Sequence, residues 1–365
     1  MKVGVTVAVV LLAGSLMAAQ KPEGPIEALD GIDTVVLLRD GKEAFGKQAF
    51  RSDHGRFTYL FSSAETKAEF DKAPEKYAIQ MGGLCARMGR TVTGNPSDYL
   101  VHDGKIYIFG SDACHKLFAS APEKYLQKPA APMPRDTAGS TRGQALLDKA
   151  ARQLGVKLDT MASYVEMTSE TQKRPTGDIQ ITTRKAWRFP DGARSERMMT
   201  RPDGEKVSYG TLLTANGAWQ IGGPELSPVI PEAVPSVQLD LGRQVLPLLR
   251  SRREAGTQVA ALGAATIDGV SVERVRVKRG GLDVTLNLDA ATGRVHSTSF
   301  IDRGRDGQFG EYTLVYSDFR AVDGVTVPFE EKAVFNGTVE PALSRKLESV
   351  SINGPLDEAL FKVSR

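Results

Sequence analysis

Four side chains in the first third of the sequence are of types that bind soft metals or exchange electrons: Cys85, His102, Cys114 and His115. Two thiolates with one or two imidazoles suit Cu(I) or Zn(II), which favour sulfur and nitrogen donors. The chain has only 2 cysteines, and an even pair in an exported protein equally suits a Cys85–Cys114 disulfide, the reading an oxidising compartment favours. His102 stands beside the turn signal Asp103-Gly104 and is the candidate third metal ligand. His115 follows Cys114 directly, so on a helix it points about 100° away and reads as surface. His296, alone in a strand, reads as exposed.

Other chemistry is hard to find. The sequence has no His-Glu-x-x-His, no Gly-x-Ser-x-Gly, no phosphate-binding glycine loop ending in Lys and Ser or Thr, and no dinucleotide fingerprint. No carboxylate pair stands out as a general acid and base. A non-enzymatic protein is expected, with no cofactor beyond copper or zinc. The 47 Lys and Arg against 44 Asp and Glu leave a net charge of +3 without a long basic block, which argues against a nucleic-acid partner. Apolar residues at 41% and charged residues at 25% are ordinary globular proportions.

Residues 1–20 read as a secretory signal peptide: Lys2, an apolar run from Val5 to Leu12, then small residues around Ala18 and Ala19. Serine at position 15 stands where a lipidated cysteine would be needed after Leu12-Ala13-Gly14. The mature chain is therefore expected to be soluble, periplasmic and without a stable membrane anchor. A Pro/Ala-rich linker over residues 128–143 separates a first domain (27–127) from a second (144–365).

The elements that position the cysteines belong to a repeat. Tyr59-Leu60-Phe61-Ser62-Ser63 returns 48 residues later as Tyr107-Ile108-Phe109-Gly110-Ser111, Phe70 returns as Phe118, and Ala73-Pro74-Glu75-Lys76-Tyr77 as Ala121-Pro122-Glu123-Lys124-Tyr125. Even His54 falls on His102. Each copy reads as a strand, a serine helix cap at Ser63 or Ser111, a helix through the phenylalanine, and a proline stop. This pattern resembles a degenerate tandem YHS domain, a small α+β module whose metal-binding members carry a cysteine ahead of the strand and a Cys-Ser-x-x-Cys at the strand–helix junction. Cys85 matches the leading cysteine of the second copy and Cys114 the last of its junction motif. Gly110 replaces the other, and Ser62 and Thr66 occupy those places in the first copy. The resemblance implies a metal site that is incomplete.

The second domain alternates. Val275 and Val277, then Val284, Leu286 and Leu288, then Tyr312, Leu314 and Tyr316 mark antiparallel strands with one wet face. Turn dipeptides such as Asn216-Gly217, Asp268-Gly269 and Asp323-Gly324 separate strands of a long meander. Helical spacing occurs over Gln144–Leu154 and over Val237–Arg253, the latter bent by Pro247. With Tyr316-Ser317-Asp318-Phe319, the Val322–Pro328 stretch and the closing Ile352–Asp357, this part resembles the outer-membrane lipoprotein-sorting superfamily. That resemblance implies a curved antiparallel half-barrel with helices on its concave face. The expected fold class is thus α+β throughout. Two helices cannot hide so much apolar surface without leaving a cleft, which is expected to be lined by Val275, Val277, Val284, Leu286 and Leu314 and lidded by Leu241, Val245 and Leu249. The expected function is periplasmic binding of an apolar small molecule, a lipid, or a lipoprotein or partner segment. The alternative is copper or zinc handling through the first domain.

Overall fold

The computed structural model describes residues 25–173, 177–222 and 226–363; the expected signal peptide lies outside them. After a short helix, Thr34–Asp40 (α1), the first repeat copy pairs Lys47–His54 (β1) with Phe57–Phe61 (β2) as a hairpin. Ala64–Lys72 (α2) follows. In the second copy Asn95–His102 (β3) pairs with Lys105–Phe109 (β4), followed by Asp112–Ser120 (α3). Both helices begin under a serine whose Oγ accepts an amide of the first turn, Thr66 N to Ser63 at 3.2 Å and Cys114 N to Ser111 at 3.3 Å. Both end before a proline, which cannot continue the amide ladder.

The packing repeats as well. Phe70 lies 4.7 Å from the Tyr59 ring and 5.0 Å from Phe61; Phe118 lies 5.3 Å from Tyr107 and 5.2 Å from Phe109. His54 and His102 each set an edge against that central phenylalanine, at 6.1 and 6.3 Å. The offset of 48 therefore governs strand, cap, helix and core together. Upstream it changes to 52: Leu29-Asp30-Gly31 and Met81-Gly82-Gly83 share three successive positive φ angles. Asp33 then falls on Cys85. Asp33 N donates to Ala44 O and Cys85 N to Val92 O, both at 2.8 Å, and α1 absorbs the extra length of the first copy.

The second part begins earlier than its apolar spacing suggests, with the helix Thr137–Leu154 (α4) rather than at Gln144. Asp136 caps it, accepting from Ala138 N at 3.0 Å and Gly139 N at 2.8 Å. The extra turns pack through what they lack: a Cβ on Gly143 would sit 2.8 Å from Val259 and 2.9 Å from the Ala261 amide. No apolar periodicity marks such a contact, so residues 137–143 read as linker in the sequence.

Strands follow in order: Ser163–Gln172 (β5), Ile179–Arg188 (β6), Gly192–Thr200 (β7), Lys206–Thr214 (β8) and Gly217–Ile221 (β9). After two helices, Val234–Gly242 (α5) and Val245–Arg250 (α6), come Gln258–Ile267 (β10), Val270–Arg279 (β11), Leu282–Asp289 (β12), Val295–Arg303 (β13), Phe309–Val322 (β14) and Val325–Phe335 (β15). Arg345–Lys346 (β16) and Ser349–Ile352 (β17) close the chain's pairing. With the two-residue strands Ser227–Pro228 and Thr338–Val339, these form, among the described residues, a seven-stranded and an eight-stranded antiparallel sheet. The last segment joins them, since β16 pairs with β15 and β17 with β5. Neither sheet is closed or strongly curled, so the strong curvature expected of a half-barrel is absent. The interior lies between two joined sheets and is occupied by α4, α5 and α6.

The expected single helix over 237–253 is two. Pro247 sits in the first turn of α6, where its missing amide costs nothing, but its ring would collide with the carbonyl four residues earlier. The helix accordingly breaks at Arg243-Gln244, with Gln244 extended at φ −65°, ψ 137°. The break aims two polar side chains into the interior.

Candidate functional site

The residues expected to line a cleft are core. Val275, Val277, Val284, Leu286 and Leu249 are at most 1% exposed, belong to one continuous cluster with α4, and border none of the cavities described below. Leu241, Val245 and Leu314 join the same cluster and touch cavities only at its margin. Alternation identifies the inward face, but α4 and α6 fill the space that face encloses.

Cys85 and Cys114 are both buried and both free; the expected bridge is not formed. Each sulfur has other neighbours. Main-chain amides of Met88, Gly110 and Arg87 point at Cys85, and Arg87 Nη1 approaches Cys114 Sγ at 3.8 Å. Burial pushes the Cys85 thiol up, against thiolate formation, and the nearby Cys114 adds to it. The first copy fills the same place with oxygen: Asp33 Oδ2 accepts from Ser62 N, Ser62 Oγ and Thr66 Oγ1, each at 2.8 Å. Asp33 carries the only signal that could have revealed this, the 52-residue offset. His102 packs on Phe118, and His115 stacks on Phe109 at 4.5 Å and bonds Asp98. Among the described residues no three of His, Cys, Asp and Glu converge on a common point. Two buried thiols with no third donor do not fit the zinc set that the first domain's resemblance implies. Thiol titration should find about two thiols in denaturant without reductant, both slow to react in the native protein; no thiol before reduction would restore the bridge.

A polar cluster that the sequence reading missed lies between the two sheets. Glu331 is in phase with Val325, Val327, Phe329 and Ala333 on β15, and Lys185 with Ile181 and Trp187 on β6, so both point inward. Charge in phase with an apolar face was the available signal. Glu166, Lys185 and Glu331 are buried, as is Gln244 from the helix break. Arg345 holds both glutamates: Nη1 to Glu166 at 2.8 Å, and Nε and Nη2 to the two oxygens of Glu331 at 2.9 Å each. Its Nη2 also donates to Gln244 Oε1 at 2.7 Å. The Tyr164 hydroxyl donates to the remaining Glu166 oxygen at 2.8 Å. Burial raises the Glu331 carboxyl, but Arg345 more than offsets it and leaves the group below its ordinary range. Asp240 is likewise held low, with Lys185 and Arg243 overcoming its burial.

One cavity adjoins this cluster, and a second adjoins the first. The first, about 490 Å³, opens beside Lys185, Arg243 and Glu331 and is bordered by Arg90, Thr168 and Thr183. The second, about 910 Å³, is a slot lined by Leu126, Ala131, Leu239, Phe300, Ile301 and Phe309. Its origin is a split in the eight-stranded sheet. β12 and β13 pair only from Thr285↔Ser299 to Leu288↔Val295, so Leu282–Val284 and Phe300–Arg303 diverge, while each keeps its outer neighbour. α5 and the segment 126–131 stand at the gap. Phe300 and Asp302 border both cavities. The first domain reaches this place through the loop after Cys85. Arg303 Nη1 donates to Arg87 O at 2.6 Å, across Gly89, whose absent Cβ would lie 2.4 Å from Arg303 Nε. Arg90 donates to Arg303 O at 2.6 Å and pairs with Asp302 at 3.3 Å.

No family model matches the sequence, and no curated protein does. Solved structures similar to this chain include an outer membrane lipoprotein-sorting protein domain from Vibrio parahaemolyticus, 12% identical over 61% of this chain and 97% of that one, TM-score 0.39. A DUF1329 family protein from Desulfovibrio piger is 11% identical over 61% and 97%, TM-score 0.40. LprF from Mycobacterium bovis is 15% identical over 60% and 96%, TM-score 0.21. Likeness at this level carries no functional argument. No described helix is long and apolar enough to cross a membrane.

Proposed function

We propose that the protein is an exported, periplasmic binding protein without catalytic activity, and that its second domain holds an apolar ligand such as a lipid or the acylated end of a partner. The observation that carries this reading is the 910 Å³ slot where β12 and β13 part. A split sheet leaves apolar side chains such as Phe300, Ile301 and Phe309 beside the opening, a surface that an apolar occupant would cover. Ile301 stands at the slot and is 49% exposed, and the volume lies within the range of small-molecule sites. Arg276 and Asp283, one charged pair at its border, neutralise each other at 2.7 Å. The first domain, clamped through Arg303 and Arg90, acts as the wall that positions residues 126–131 over the opening.

Titration of the full chain with a hydrophobic fluorescent probe tests the reading. Saturable binding is expected, and Ile301→Asp should weaken it about tenfold or more, since the change places a charge in the apolar slot. Ile301 is half exposed, so the variant should fold. Equal probe affinity in both proteins, or no saturable binding, would remove the slot as the site.

A further inference from the structure

We propose that the ligand is an amphiphile with an anionic oxygen head, a carboxylate or phosphate, which Lys185 receives in the smaller cavity while the hydrocarbon lies in the slot. The inference rests on the apolar-ligand reading and adds the chemistry of the other end.

Lys185 carries the argument. Its side chain is 8% exposed, so it is more than nine-tenths buried, yet the residue borders the 490 Å³ cavity, and its ion-pair neighbour among the described residues is Asp240, 3.6 Å from Nζ. That distance is beyond a hydrogen bond. The carboxylates around it already accept bonds from other groups. Asp240 accepts from Arg243 Nη2 at 2.8 Å, both oxygens of Glu331 are taken by Arg345, and those of Glu166 by Arg345 and Tyr164. An ammonium with three donors is thus left in the interior without a partner at bonding distance. Such a group is costly to bury unless an acceptor arrives. Burial lowers the Lys185 pKa, and Asp240 opposes that shift, as expected of an ammonium lacking an acceptor.

The surroundings suit an anion with a tail. Arg243 lies with its guanidinium 4.7 Å from the Phe300 ring centre, and its Nε is buried without a partner. Thr168 and Thr183 add hydroxyl donors at the cavity wall. Phe300 faces this cavity on one side and the slot on the other, so it forms the threshold between head and chain. The first domain supplies Arg90 to the same cavity. This gives the two-domain arrangement a role in recognition.

The test compares oleate with methyl oleate on the full chain by probe displacement, with inorganic phosphate as a free anion. Oleate should bind about tenfold or more tighter than the ester, the size of one charge-assisted hydrogen bond. Lys185→Met should reduce oleate to the level of the ester while leaving the ester unchanged. Millimolar phosphate should not displace oleate. Equal affinity of acid and ester in the natural protein would overturn the inference and leave the apolar-ligand reading standing; that comparison needs no variant. Preference for oleate that survives Lys185→Met, or displacement by phosphate alone, would also overturn it. Binding of neither lipid would remove both readings.

Discussion

Arg345→Met should destabilise the second domain by about 3–5 kcal/mol, the cost of leaving buried charge unpaired. Arg345 is the shared partner of Glu166 and Glu331, and its loss leaves two carboxylates in the interior, one of them still accepting from the Tyr164 hydroxyl. The deficit should depend on pH. In the natural protein the Glu331 carboxyl is held below its usual range, so its pairing contributes fully above the unfolded value, about 4.3. That contribution is lost as pH falls through the lower native value. Without Arg345, burial acts on Glu331 against only the weaker pull of Arg243 and Lys185, so the charged form is favoured less and the variant loses less stability as acid is added. The gap between the two proteins should therefore narrow from pH 7 to pH 4. Urea denaturation followed by tryptophan emission reports the right region, because both tryptophans, Trp187 and Trp219, lie in the second domain. A loss under about 1 kcal/mol, or a gap that ignores pH, would show that the cluster is loosely coupled.

The second large effect concerns the repeat. Phe70→Ala and Phe118→Ala should each cost about 3–5 kcal/mol, the usual range for emptying a buried phenylalanine site. Both side chains are at most 1% exposed and each touches the two aromatic rings of its own hairpin. They sit in separate core clusters. The double variant should therefore lose the sum of the two within about 0.5 kcal/mol. Far-UV circular dichroism can follow the first domain, whose unfolding leaves tryptophan emission unmoved. A double loss well short of the sum would mean that the two copies share one core.

Local rules explain how much of the fold could be read in advance. The serine caps, proline stops and strand–helix aromatic contacts each involve residues within about twenty positions, so the 48-residue repeat carried its structure openly. The meander was legible for the same reason: alternation and Asn-Gly or Asp-Gly turns are local consequences of the pleat and of hairpin twist. The start of α4 was hidden because its contact with β10 is made by Gly143, which has no side chain to register as apolar. The exchange of Asp33 for Cys85 was hidden by the four-residue change in offset that α1 introduces.

The α+β class, the repeat, and which face of each strand points inward follow from chain-local periodicity and propensity and are legible along the chain. The sequence also placed charge on inward positions, at Lys185 and Glu331. What those inward faces meet depends on packing in three dimensions. The valines and leucines of β11 and β12 meet α4 and α6 and become filled core, while the opening lies where β12 parts from β13. Arg345 comes from the far end of the chain to bind Glu166 and Glu331, and Arg90 comes from the other domain to reach the cavity beside Lys185. Such meetings join residues up to 213 positions apart. They depend on how sheets and helices fill volume together, which no periodicity along the chain encodes.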